Sequence, residues 1–244
     1  MHEWIRAIWR FFYFAISTII HIAGFVFIVL TGKPKRYAGA RLRRRWLSHV
    51  PARMGIEMKI SGRPYQGTCL YIANHIGYLD PFVILMQTEA NVVAKAEILR
   101  WPLVGLAGYL AGTIFVRREK KSSRVETANA IRDALKEGIS ILVFPEGTTS
   151  AGPHPLPFRP RSFEAAYNAG VPVQPIAILY DHPDVAFIGD HIFIPHFFKL
   201  FKLKKITGRV VFGPPLEGEN TCEKSRQWIE HIQSPRIIEP VEKE

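Results

Sequence analysis

The chain has 244 residues, 48% of them hydrophobic, and a formal net charge of +11. That length suits one domain of ordinary size with an appendage, and that apolar content excludes a disordered chain. A basic chain suits nucleic acid or anionic lipid, but no zinc-finger, helix-turn-helix or RNA-binding signature is present, so nucleic acid is not an expected partner.

The first element in chain order is apolar. Phe11 to Leu30 is a run of 20 residues without a charged side chain. As a helix rising about 1.5 Å per residue it reaches roughly 30 Å, enough to cross a hydrocarbon core. Trp4, Trp9 and Trp46 flank it, as interfacial anchors do. The run exceeds the usual apolar stretch of a signal peptide and leads into Thr31-Gly32-Lys33-Pro34, which offers no small-residue cleavage site. Spanning the bilayer and lying in one leaflet both fit the sequence.

Gly32 and Pro34 end this helix, and a second segment runs from Arg36 to about Met54. Leu42, Trp46, Leu47 and Val50 fall on one face of it among arginines, the pattern of an interfacial amphipathic helix. Eight basic residues lie between Lys33 and Arg53, and the next acid is Glu57. That asymmetry places the segment at the cytoplasmic face of an inner or plasma membrane, against lipid. Lys199, Lys202, Lys204, Lys205 and Arg209 form a second acid-free stretch. The expected organisation is a membrane-associated helical pair over 1–56, an α/β domain over 57–233 and a loose tail over 234–244.

From Glu57 onward short apolar runs alternate with amphipathic stretches. Cys69–Ala73, Asn91–Ala94, Thr113–Val116, Ile139–Phe144, Val173–Leu179 and Arg209–Phe212 read as strands, bounded by Gly, Pro or Asn. Arg124–Lys136 reads as a helix stopped by Gly138, and Ser162–Asn168 as another stopped by Gly170. The alternation predicts an α/β fold, a mixed sheet flanked by helices. Cys69 and Cys222 are isolated and give neither a metal site nor a disulfide framework.

The polar motifs follow strand ends, where open α/β sheets bind ligands. Asn74-His75 follows the first strand, Arg117-Arg118 the third, and Glu146-Gly147-Thr148 the fourth. His75 is a candidate general base and Asp80 a carboxylate that could hold its tautomer. A spacing of five residues brings the two together only if the chain turns between them, and Gly77 is the residue for that turn. Asp80-Pro81 is equally a helix start, with Asp as N-cap and Pro at the first helical position. Gly147 permits close backbone approach, Thr148, Thr149 and exposed N–H groups suit oxyanions, and Glu146 could accept from a ligand hydroxyl. Arg117 and Arg118 suit a phosphate, and equally a solvated basic pair. Clustered His, Asp and Glu of metal-ligand spacing do not occur, so no metal is expected.

Taken together, Asn74-His75-x4-Asp80, Gly112-x-x-Phe115-Val116-Arg117-Arg118, Phe144-Pro145-Glu146-Gly147-Thr148 and Val171-Pro172-Val173-Gln174-Pro175-Ile176-Ala177 resemble the four ordered motifs of the glycerolipid acyltransferase family. That family includes the 1-acyl-sn-glycerol-3-phosphate acyltransferases. The resemblance covers about Ile60 to Pro215 and extends to Lys95-Ala96-Glu97 and Phe212-Gly213-Pro214-Pro215. It implies an αβ-fold with a membrane-docking helical pair, an acyl thioester donor (acyl-CoA or acyl carrier protein), no separate cofactor, and a lysophospholipid acceptor drawn from membrane lipid. By motif it implies His75 as catalytic base, Asp80 as its partner, and Lys95, Arg117, Arg118, Glu146, Gly147 and Thr148 as substrate-binding residues. The acceptor implied first is lysophosphatidic acid, acylated at the sn-2 hydroxyl to give phosphatidic acid.

Two departures bear on that acceptor. Many phosphatidate-forming members have arginine where this chain has Thr149, and glycine where it has Arg161. The Thr148-Thr149-Ser150 form, with Leu156-Pro157-Phe158-Arg159 and the stretch ending in Tyr180, also resembles relatives that acylate lyso-ornithine lipid. No serine or cysteine nucleophile sits in the motifs, which implies direct transfer without an acyl-enzyme. A non-catalytic, membrane-anchored lipid-binding protein on the same fold is the reading from a different class.

Overall fold

This computed structural model describes residues 1–32, 35–117 and 121–234. Arg118 and residues 235–244 of the expected tail lie outside them. Helix α1 spans His2–Leu30, α2 Lys35–Leu47 and α3 Val50–Arg53. The second segment is therefore two helices rather than one. The chain turns at Ser48-His49, and Pro51 opens α3 in its first turn, where a missing N–H costs nothing.

The strands are β1 (Ile56–Ser61), β2 (Leu70–Ala73), β3 (Asn91–Lys95), β4 (Ile114–Val116), β5 (Ile141–Val143), β6 (Val173–Tyr180) and β7 (Ile206–Phe212). They form one sheet in the order β1-β7-β6-β2-β5-β3-β4. β6, β2, β5, β3 and β4 are mutually parallel, β7 runs antiparallel to β6, and β1 runs parallel to β7. The sheet is thus mixed and flanked by helices, as expected. β1 was not foreseen. It is an edge strand with only Ile56 buried, so its sequence lacks the apolar run that marks the central strands.

The remaining helices are α4 (Asp80–Leu85), α5 (Val104–Leu110), α6 (Lys121–Lys136), α7 (Arg161–Ala169), α8 (Phe193–Phe201) and α9 (Thr221–Gln233). Successive residues of the central strands feed opposite layers. Tyr71, Ala73, Leu142, Phe144, Ile176 and Ile178 pack with α3, α4 and α8. Leu70, Ile72, Ile141, Val143 and Ala177 pack with α6, α7 and α9. Burial on both faces explains why these strands read as continuous apolar runs.

α1 rests on the first layer. Phe11 and Phe14 meet Phe197 of α8 at ring-centroid distances of 5.7 and 6.1 Å. The Arg10 guanidinium donates to the carbonyls of Phe201, Leu203 and Lys204, and Arg6 to that of Lys202. The Phe201 and Lys202 carbonyls are at the C-terminal end of α8, where cations are favourable, and those of Leu203 and Lys204 follow it. The opposite face of α1 exposes Ile5, Ile8, Trp9, Phe12, Ile16 and Ile20. α1 is long and apolar enough to cross a membrane.

Candidate active site

The parallel strands β2, β3, β4 and β5 all deliver their C-terminal ends to one edge of the sheet, and the polar motifs gather there. Past β2 the chain is pinned to its neighbour by Asn74. Its Nδ2 donates to the Ile178 carbonyl at 2.9 Å, and its Oδ1 accepts from the Ile178 N–H at 2.8 Å. Beyond that clamp the chain leaves the sheet and curls back into α4. Asp80 is the first residue of α4 and Leu79 its N-cap, so Asp80 does not cap the helix. Its Oδ2 reaches backward instead, accepting from His75 Nδ1 at 2.8 Å, Ile76 N–H at 2.6 Å and Gly77 N–H at 2.9 Å. Gly77 serves this turn through close packing rather than positive φ, because a Cβ there would lie 2.6 Å from the Val185 carbonyl oxygen. The second carboxylate oxygen, Oδ1, accepts from the Tyr180 hydroxyl at 3.0 Å.

These donors fix the hydrogen-bond roles. Asp80 is fully buried and accepts four hydrogen bonds. A carboxylate only accepts, so the imidazole proton sits on Nδ1 and Nε2 keeps its lone pair. The His75 ring stacks on Phe144 at 4.2 Å between centroids, and its side chain retains 17% exposure. Among the described residues Nε2 has no hydrogen-bond partner. A rigid imidazole with one free basic nitrogen, backed by a buried carboxylate, is suited to take a proton from a hydroxyl.

Glu146 sits underneath this loop. Its Oε1 accepts from the His75 N–H at 2.8 Å, and its Oε2 from the Leu156 N–H at 3.1 Å and the Ser150 hydroxyl at 3.3 Å. The Ser150 N–H in turn donates to the His75 carbonyl at 2.8 Å. Burial pushes the Glu146 carboxyl above its ordinary range, while the His75 and Leu156 N–H groups pull the other way. Oε1 thus braces the His75 backbone and Oε2 ties in Ser150 and Leu156, where the sequence suggested a contact to a ligand hydroxyl.

Gly147 has φ +73°, and the Arg159 guanidinium carbon lies 2.7 Å from where its Cβ would stand. Any side chain here would be strained and would displace Arg159. Thr149 donates its hydroxyl to the Phe187 carbonyl, and the Phe187 N–H donates to the Ile76 carbonyl at 2.9 Å. The segment around Phe187 is therefore strapped to both the His75 loop and the Glu146 turn. Sequence reasoning missed this strap, the Asn74 clamp and Tyr180. Only Tyr180 left a signal, a hydroxyl at the end of β6 two residues past Ile178 and hence on the same strand face.

Lys95 ends β3 with its Nζ 3.8 Å from Glu97, and it lines the same cavity as His75 and Thr148. Arg117 is exposed just past β4, spends its backbone N–H on the Ser123 hydroxyl and forms no part of that cavity's wall. Arg118, the motif-two arginine, lies outside the described residues. Among the described residues no group of three or more His, Cys, Asp and Glu is placed to hold a metal ion.

The cavity encloses about 550 Å³. One end is bounded by His75, Thr148, Thr149 and Phe187. Its walls come from α1 (Phe14, Thr18, Phe25), α2 (Leu42, Trp46), α4 (Phe82) and α5 (Val104, Ala107), and it extends to Arg43 and Ala111 at the opposite ends of β3 and β4. There the Arg43 guanidinium donates to Asn91 Oδ1 at 2.9 Å and to the carbonyls of Ala111 and Glu89. An apolar channel that starts at a basic nitrogen suits a long hydrocarbon chain whose reactive end meets His75.

Comparison with known proteins gives the family and the fold. The family described as acyltransferase matches residues 51–179. A lyso-ornithine lipid O-acyltransferase from Pseudomonas aeruginosa is 33% identical over 194 residues, covering 77% of this chain and 75% of that one. A 1-acyl-sn-glycerol-3-phosphate acyltransferase from Neisseria meningitidis is 30% identical over 168 residues, covering 65% and 64%. The crystal structure of the 1-acyl-sn-glycerophosphate acyltransferase PlsC from Thermotoga maritima superposes with a TM-score of 0.62 at 20% identity, covering 89% of this chain and 93% of that one. At that identity the likeness establishes the fold.

Proposed function

The chain belongs to the glycerolipid acyltransferase family, and from that premise we propose that it transfers a fatty acyl group from a thioester to the hydroxyl of a lyso-lipid at a membrane surface, with His75 as general base. The observation that carries this reading is the His75 Nδ1–Asp80 Oδ2 contact of 2.8 Å at the mouth of an apolar cavity. Nε2 takes the acceptor hydroxyl's proton as its oxygen attacks the thioester carbonyl, and Asp80 stabilises the imidazolium. Collapse of the tetrahedral intermediate expels the thiolate, which recovers the proton from Nε2. The N–H groups of Thr148 and Thr149 have no acceptor among the described residues and border the same end of the cavity, so they are the oxyanion donors in this reading. The donor's acyl chain lies in the cavity, and the exposed face of α1 rests in lipid, where the acceptor already resides.

For the acceptor, the sequence alone ranks lysophosphatidic acid ahead of lyso-ornithine lipid. The Thr149 hydroxyl reverses that order, because it is spent on the Phe187 carbonyl and supplies no cation where phosphatidate-forming relatives carry arginine. The Pseudomonas relative, named for lyso-ornithine lipid, supports the same choice. Lysophosphatidic acid remains the second reading, favoured by the Arg159 guanidinium over Gly147. The test presents each lyso-lipid in vesicles with the full chain and an acyl thioester. The expected outcome is at least about tenfold higher kcat/KM for lyso-ornithine lipid, the discrimination that one matched head-group contact supplies. Equal or higher efficiency with lysophosphatidic acid contradicts the assignment. The full chain should also sediment with those vesicles, and a chain left in the supernatant contradicts docking through α1.

A further inference from the structure

The carboxylate paired with His75 is held from two sides. Three donors converge on Asp80 Oδ2, all from the loop that carries His75. Oδ1 has a single donor, the Tyr180 hydroxyl at 3.0 Å, 100 residues along the chain on β6. Asp80 is fully enclosed, and Tyr180 is half-buried against the core beneath the site. Burial, the Asp80 charge and the bond to Asp80 all push the phenol's titration far above neutral pH, so it stays a donor. β6 is also the strand that grips the loop through Asn74 and Ile178, two residues before Tyr180. Ile178 and Tyr180 therefore share a strand face, and the same strand holds the Asn74 side chain at the loop's start and the Asp80 carboxylate at its end.

We propose that Tyr180 is a positioning residue of the acyl transfer reaction, holding Asp80 Oδ1 so that Oδ2 presents one fixed lone pair to His75 Nδ1. This rests on the proposed role of His75 and Asp80. Two consequences follow from the bond. Without the hydroxyl, Oδ1 is a buried anionic oxygen with no donor, so the carboxylate is free to rotate and the imidazole loses its fixed aim. The carboxylate also becomes more basic, holds the imidazolium more tightly and delays release of the proton to the leaving thiolate.

The variant that tests this is Tyr180→Phe, which keeps the ring and its packing and removes only the hydroxyl. Measured on the full chain with a lyso-lipid acceptor, kcat should fall by about tenfold, the scale of one hydrogen bond to a charged group. Both KM values should stay within about twofold, since Tyr180 touches neither substrate. The acidic limb of kcat/KM should move up by about half a pH unit, from the more basic carboxylate. The other ionisable groups around the pair are Glu146 beneath the loop and Tyr78 within it, and the substitution leaves both in place.

A wild-type kcat and an unmoved acidic limb in Tyr180→Phe overturn the proposal. So does a loss of activity that follows a lowered melting temperature with the limb unmoved, because that is packing alone. Introduced on top of Asp80→Asn, the same change should alter kcat by less than about twofold, as it acts through the carboxylate. A full tenfold further loss there would also overturn it. His75→Ala in the same assay separates the levels. Near-normal transfer by that variant removes the dyad itself, whereas an inactive His75→Ala beside a wild-type-like Tyr180→Phe removes only the role of Tyr180.

Discussion

His75→Ala is expected to lower acyl transfer by about a thousandfold while leaving the chain folded. General-base assistance contributes roughly two to four orders of magnitude. In barrier terms a thousandfold is about 4 kcal/mol. The fold tolerates the change because Asp80 keeps its bonds from Ile76, Gly77 and Tyr180. The loop keeps its backbone bonds through the position-75 N–H and carbonyl to Glu146 and Ser150. The cost to stability is the lost stacking on Phe144. Rate measurement in membranes or detergent, alongside a melting curve, checks both halves. Near-normal transfer in a folded variant contradicts the role of His75.

Asp80→Asn should follow with a loss of about a hundredfold or more. The carboxamide has the carboxylate's shape. Its oxygen accepts from His75, Ile76 and Gly77, and its NH₂ donates to the Tyr180 oxygen, so every polar group keeps a partner. What disappears is the negative charge opposite the imidazolium, and with it the stabilisation of the protonated base. Asp80→Ala behaves differently. It leaves the Ile76 and Gly77 N–H groups and the Tyr180 hydroxyl without acceptors, at about 1–3 kcal/mol for each buried group, so that variant should lose stability as well as rate. Comparing melting temperatures of the two variants separates charge from scaffold. Equal destabilisation of both would contradict the bonding pattern described here.

The sequence exposed the pair of His75 and Asp80 more readily than what holds it. The central strands were legible because burial on both faces leaves apolar runs, and their C-terminal ends located the motifs. α8 was not, because Phe193–Phe201 follows Gly189 and contains Pro195, and its aromatic face gains meaning only once α1 lies across it. β1 was hidden by being an exposed edge. Asp80 carried two readings in sequence, N-cap or partner of His75, and the chain's backward turn decides for the second. Glu146 and Thr149 stand where ligand contacts were expected but spend their side chains on His75, Leu156, Ser150 and Phe187. Such long-range polar bonds leave no periodic trace, which is why the acceptor side of the site was the least readable.

Thiol release by the wild-type chain, followed with and without lyso-ornithine lipid and paired with the intact mass of the protein, tests direct transfer to a lyso-lipid hydroxyl most directly. Release that requires the acceptor, matches acyl-lipid formed one for one and leaves the protein mass unchanged is the predicted result. Release in the absence of acceptor with an acyl group retained on the protein, or no release with any lyso-lipid, would contradict it.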